Sequence, residues 1–257
     1  DTENYETRFY YNNVGGITQI DYPVEKGSTP YSVYYTYNSI GQIERIGTAA
    51  ASNNIASYTY NPTGKPLEEL AQERVFKPLG MTASSYKWQE KIEKDYEYGY
   101  DEEGKKQEKD KDNAPRGAGT LETTIEDYSK FITAILNKKI LNAKSYKEMF
   151  SPQIRIRSKN QFGPGALEDG NWNDQTELSY GLGWGLVKSP YGYGAFKEGQ
   201  GSGFQHYGIV FQDKGTAMVI MSNSYPTGKI IKYLLETGIK DTYTPWEWDQ
   251  YIPYDKK

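Results

Sequence analysis

The segment Phe196-Lys-Glu-Gly-Gln-Gly-Ser-Gly-Phe204 and the two apolar runs beyond it constrain this chain most. Those runs, His206-Tyr-Gly-Ile-Val-Phe211 and Thr216-Ala-Met-Val-Ile-Met221, are β-rich and separated by Gln212-Asp-Lys-Gly215. Runs of this kind, bounded by Asp, Lys and Gly, predict an antiparallel hairpin. Lys197 stands two residues before Gly199 at the edge of a predicted strand. Glycines at 199, 201 and 203 leave the backbone open to close approach by a ligand. A cation beside accessible backbone N–H groups suits an anionic or carbonyl substrate.

Composition removes several function classes. A chain of 257 residues can bury a real core. Its formal net charge of −4 argues against nucleic acid as the main partner. With no cysteine there is no disulfide framework, thiolate nucleophile or Cys–zinc site, and one histidine, His206, excludes a multi-histidine metal centre. No metal and no cofactor is expected. No apolar run approaches the roughly 18 residues of a membrane-spanning helix, so no transmembrane segment is expected. The first residue, Asp1, is not an initiator, and no signal peptide opens the chain. The expectation is that an upstream segment or a second chain completes the protein.

Texture divides the chain near residue 63. Residues 1–63 are rich in Tyr, Asn, Thr, Gly and Ser, and Ser32–Tyr37 with Gln42–Ile46 predicts a hairpin around Asn38-Ser-Ile-Gly41. Tyr35-Thr-Tyr-Asn38 recurs as Tyr58-Thr-Tyr-Asn61, each with a glycine three residues on. The pair resembles the tyrosine-rich YD repeats of secreted bacterial proteins. Beyond residue 63 helical periods take over. Leu67, Leu70, Ala71 and Val75 share one helical face, and Lys77-Pro-Leu-Gly80 is expected to stop that helix. Residues 87–114 are strongly charged and read as a solvated surface hairpin or loop. Thr124 and Asp127 have capping-box spacing before a helix with Tyr128, Phe131, Ile132, Ile135 and Leu136 on its apolar side. A short helix is predicted near Ala143–Phe150 and a C-terminal helix around Ile230–Leu235, with the aromatic tail Thr244–Trp248 after it. Neither the helices of 64–150 nor the strands of 179–222 can cover their apolar face alone. One domain over 1–257 is therefore expected, with 1–63 a divergent Tyr-rich β segment within it.

From about Gly64 onward the order of segments resembles the C-terminal part of the serine β-lactamase and penicillin-binding-protein superfamily. More narrowly it resembles the class C-like serine hydrolases of bacteria. The segments that carry the resemblance are Glu73–Met81, Gly99–Gly104, Ala118–Leu121 with Thr124–Phe131, Tyr180-Gly-Leu-Gly-Trp184, and the 196–224 hairpin. The implied fold is α+β, an antiparallel sheet flanked by helices. The implied chemistry is acyl transfer on a β-lactam, a D-amino-acid peptide or an ester. A serine ester forms, backbone N–H groups hold the oxyanion, and water then attacks. The family's Lys/His-x-Gly strand corresponds to Lys197-Glu-Gly199, with the N–H of Gln200 as an oxyanion donor. Its Tyr-x-Asn corresponds to Tyr11-x-Asn13, Tyr11 moving the nucleophile's proton and Asn13 holding the substrate amide; Tyr10-x-Asn12 fits the same spacing. A lysine near the tyrosine would favour its phenolate.

The family's Ser-x-x-Lys nucleophile lies well upstream of Tyr-x-Asn, and only ten residues precede Tyr11 here. The one Ser-x-x-Lys in the chain is Ser84-Ser-Tyr-Lys87, where the family has a variable turn. Ser84 is thus a weak candidate nucleophile, and the isolated chain is expected to be impaired in catalysis. His206 reads as a surface residue of the hairpin, and Lys197 has a plain alternative as a charge that blocks strand-edge pairing. The competing function is a non-catalytic binding domain at the bacterial envelope that keeps the cleft without the serine. On either reading the partner is a small molecule or peptide and the location periplasmic or secreted.

Overall fold

The computed structural model describes residues 7–22, 31–37, 43–48, 53–57, 64–111 and 113–255. The chain forms two compact units, Asp1–Lys65 and Pro66–Lys257. The boundary between them lies close to the change of texture in the sequence.

In the first unit β1 (Arg8–Tyr11), β2 (Ile17–Tyr22), β3 (Tyr31–Tyr37), β4 (Ile43–Thr48) and β5 (Asn53–Ser57) succeed one another as an antiparallel meander. β-branched and aromatic side chains make these short segments good strands. The predicted 32–46 hairpin is the β3–β4 pair, while its turn at 38–42 and the repeat copy Tyr58–Asn61 lie outside the described residues. The β1–β2 turn is closed by Asn12, whose Oδ1 accepts from the N–H groups of Val14 and Gly16 at 3.1 and 2.7 Å.

In the second unit, described by itself, β6 (Ile154–Arg155), β7 (Ser179–Tyr180), β8 (Gly185–Ser189), β9 (Gly192–Gly201), β10 (Phe204–Phe211) and β11 (Thr216–Ser222) make an antiparallel sheet in sequence order. Strand alternation gives β9 and β10 two apolar faces. Phe196, Tyr207 and Ile209 join Ile231 and Leu235 of α5 (Gly228–Ile239) on one side. Ala195 and Val210 join Ile132 and Ile135 of α3 (Ile125–Leu136) and Tyr146 of α4 (Ala143–Met149) on the other. Helices on both faces of an antiparallel sheet make the α+β architecture that the sequence implies. Trp246 and Trp248, expected as part of an aromatic tail, instead sit on a short helix, α6 (Trp246–Asp249), inside the first of these cores.

Two local expectations gain detail. The helix that opens the unit stops within Lys77–Gly80 as expected, at the glycine. It runs from α1 (Leu67–Ala71) through a π-helical stretch, Gln72–Phe76, into α2 (Lys77–Leu79), and Gly80 ends it at φ 66°. Pro78 cannot donate to the preceding turn, and a wider π turn just before it accommodates the ring. At α3 the Thr124 hydroxyl accepts from the Asp127 N–H at 3.2 Å, but the reciprocal half of the capping box is missing. The Asp127 carboxylate turns away to hold the 80–84 turn. It accepts from the N–H of Ala83 (2.7 Å), the hydroxyl of Ser84 (3.0 Å) and the ammonium of Lys130 (2.9 Å), which also donates to the Gly80 carbonyl.

Asp127 is buried, and burial alone would raise its pKa; its hydrogen bonds outweigh burial and hold the carboxyl below the usual range. That contribution is present above about pH 4 and is lost as pH falls through the folded value. Asp127→Ala should therefore cost about 2–3 kcal/mol at neutral pH, and its melting temperature should fall less steeply on acidification than the parent's. Thermal melts of both proteins from neutral to acid pH check this; equal slopes would show that Asp127 does not carry the acid dependence.

Candidate functional site

The candidate site is built on β9. Phe196 is the last β9 residue opposite β8, facing Gly185, whereas β10 pairs with β9 through Gly201. From Lys197 to Gly201 no strand among the described residues covers the other side of β9. The cause lies in Tyr180-Gly-Leu-Gly-Trp184, which turns β7 into β8 with Gly183 at φ 84° and starts β8 only at Gly185. Above Gly199 and Gly201 an added Cβ would meet open space. Backbone N–H and C=O groups on this side are free for a ligand that runs alongside the strand.

Lys197 is about half exposed and stands where β9, an inner strand of the sheet up to Phe196, becomes a local edge. Its ammonium lies 3.7 Å from Glu198 Oε1 and 5.9 Å from the centroid of the Tyr180 ring. Register puts Gly208 opposite Lys197 and His206 opposite Gly199, so these four share a face. His206 is not the surface residue expected from the sequence. It is half-buried, its Nδ1 accepts from the Ser222 N–H at 3.2 Å, and its neutral ring therefore carries the proton on Nε2. Burial first, and the Lys109 ammonium next, push its pKa down.

Behind β9, on the opposite face, lies an acidic pocket that sequence reasoning missed. Glu198 Oε1 accepts from Gln161 Nε2 at 2.7 Å, but its Oε2 is buried without a partner. Both carboxyl oxygens of Asp249 and the hydroxyl of Tyr251 are likewise buried and unpartnered. Burial, and then the neighbouring Glu198, push the Asp249 pKa well up, with Lys197 opposing; Tyr180 is pushed up to about 12 by burial and the same two acids. Both causes favour the neutral form of the Asp249 carboxyl.

The remaining candidates are placed elsewhere. Tyr11 and Asn13 lie in the first unit, Tyr11 exposed at the end of β1 beyond a bulge and Asn13 exposed in the turn that Asn12 closes. Lys197, Gly199 and Gln200 lie in the second unit, close together along β9. Ser84 is 3% exposed and its hydroxyl is held by Asp127 and by Thr123 (2.8 Å). Lys87 is exposed, so this Ser-x-x-Lys does not set a lysine beside a free hydroxyl. The 87–114 segment is not a plain solvated loop, because Trp88, Tyr96 and Tyr98 pack on one another within it.

The Beta-lactamase family model matches residues 41–234, most of the chain, and the chain belongs to that family. A relative in Bacillus subtilis (strain 168) that carries the name penicillin-binding protein PbpX is 34% identical over 99 residues, which is 35% of this chain and 24% of the relative. The chain thus spans about a quarter of the length of the curated relative it matches.

The acidic pocket generates a sign that can be checked. A carboxyl whose folded pKa is raised keeps a proton that the unfolded chain loses, so stability falls as pH rises from about 4 toward the folded value. Asp249→Asn mimics the protonated form. It should remove this part of the slope and stabilise the protein by roughly 1–2 kcal/mol at mildly alkaline pH. Paired melts across neutral and alkaline pH test it; a variant whose slope matches the parent's would show that Asp249 is ionised throughout.

Proposed function

We propose that this chain supplies the substrate-gripping side of a class C-like serine hydrolase site. The substrate is a carboxylate-bearing acyl compound, a β-lactam or a D-amino-acid peptide, with simple esters as minor alternatives. The observation that supports this most is the Lys197-x-Gly199 strand with its far side uncovered through Gly201. Lys197 would meet the substrate carboxylate as a point charge, and the Gln200 N–H would hold the oxyanion of the acyl carbonyl. Glycines at 199 and 201 let the ligand approach the backbone. By the resemblance alone Tyr11 would pass the nucleophile's proton and Asn13 would hold the substrate amide. The natural setting is outside the cytoplasm, periplasmic or secreted.

Acyl transfer needs a serine, and the one Ser-x-x-Lys has its hydroxyl tied to Asp127. That favours an isolated chain that binds without turning over, its nucleophile lying on a further segment or second chain. The same observation also favours the second reading, an envelope binding domain without chemistry of its own. Treatment with labelled penicillin or a fluorophosphonate separates the two. Covalent labelling of the chain joined to the serine-bearing segment supports the hydrolase, reversible binding without labelling in that same assembly supports the binding domain, and absence of any binding removes both. Labelling unchanged in Tyr11→Phe would take Tyr11 out of the mechanism.

Lys197→Gln should weaken binding of a carboxylate-bearing β-lactam about tenfold while changing stability by no more than roughly 0.5 kcal/mol. Calorimetric titration and melting of both proteins check this. Unchanged affinity would return Lys197 to a structural role.

A further inference from the structure

We propose that Trp88, Tyr96, Tyr98 and Lys106 form a binding shelf for an acidic saccharide, a sugar chain bearing carboxylates. The three rings are half-buried and form a continuous set. Trp88 and Tyr96 meet edge to face at 5.1 Å between centroids, and Tyr96 and Tyr98 lie tilted at 4.9 Å. Such packing fixes the rings while leaving apolar surface open, which suits the C–H face of a sugar. The two phenols share a hydrogen bond of 2.8 Å, which uses one of their protons and leaves the other for a hydroxyl or carboxylate. This is more order than a solvated charged loop needs.

Charge selects the ligand. Lys111 pairs with Glu93 at 2.5 Å and Lys109 with Glu122 at 2.7 Å, so both are compensated. Lys106 is exposed, stands 3.1 Å from the centroid of the Tyr98 ring, and has no carboxylate partner among the described residues. One uncompensated ammonium over an aromatic shelf fits one carboxylate on a flat, hydroxylated ring. It does not fit a polyphosphate chain, whose dense charge a single ammonium cannot match.

The shelf is fastened to the β9–β10 turn. A Cβ on Gly99 would collide with the Ser202 carbonyl, and the Tyr100 N–H donates to Gly203 and Asn223 at 3.3 and 2.9 Å. The Lys109 ammonium lies 5.3 Å from the Phe204 ring, bridging the shelf to the start of β10. A ligand on the shelf therefore lies at the far end of the uncovered strand. The shelf does not depend on hydrolase chemistry and stands if that reading fails.

The test is calorimetric titration of the full chain with an oligogalacturonate, a neutral galactose oligomer and sodium acetate. The acidic oligomer should bind saturably, and Lys106→Gln should weaken it about tenfold without altering its near-UV circular dichroism. Tyr96→Phe should also weaken it, whereas Lys197→Gln should leave it unchanged, which separates the shelf from the candidate active site. No saturable binding of the acidic oligomer, equal affinity in Lys106→Gln, or acetate competing as well as the oligomer would each overturn the proposal.

Discussion

The structure of the second unit depends on the two-residue alternation of β9. Ala195 faces the α3 core, Phe196 the α5 core, Lys197 the α3 side again and Glu198 the acidic pocket. A one-residue slip would exchange these faces, burying Lys197 among aromatic rings and exposing Phe196. Both cores therefore hold the register that places the lysine and the glycines, and Phe196 anchors it by stacking on Tyr207 at 6.0 Å. The candidate site begins at the residue where the packed part of the strand ends.

Much of this was legible because it repeats with a short period. The β10–β11 hairpin, the apolar stripe of α3 and the Gly80 helix stop each rest on residues within a few positions of one another, and each is present. Longer-range contacts changed the local details. Asp127 has capping-box spacing, but Ala83 and Ser84 lie 44 and 43 residues away in sequence and compete for its carboxylate. The Trp246 and Trp248 side chains look like an exposed tail in isolation and become core only because Phe196 and Tyr207 provide rings to meet. Spacing along the chain carries no information about such partners.

The site was legible to the same extent. Lys197-x-Gly199 could be read because three neighbouring residues carry it. Glu198 and Asp249 lie 51 residues apart in the sequence, and neither stands in a motif. Their meeting requires the 158–161 loop to join β9 to the last helix. Gln161 does so, donating its side chain to Glu198 while its N–H donates to the Trp248 carbonyl at 2.9 Å. His206 was misread for a related reason. A histidine in a hairpin is often solvated, but β11 lies beside it and the Ser222 N–H occupies its Nδ1. Tyr-x-Asn is a weaker signal, since a tyrosine-rich chain supplies the triplet freely; of its two registers, Tyr10-x-Asn12 places its asparagine in the turn that it closes.

The acidic pocket and the uncovered strand are two halves of one arrangement. Buried carboxyl oxygens without partners are costly, and a fold tolerates them only where neighbouring packing leaves no cheaper solution. Here Phe196, Tyr207 and Trp248 pack on one another, and burial with the neighbouring Glu198 favours the neutral form of Asp249. Glu198 Oε1 lies 3.7 Å from the Lys197 ammonium. A substrate carboxylate would then compete with Glu198 for the same cation. Any loss of the Asp249 proton would strengthen the hold of the pocket on Lys197 and weaken its hold on the substrate. The acidic pair and the lysine thus lie within electrostatic reach of each other across a single strand.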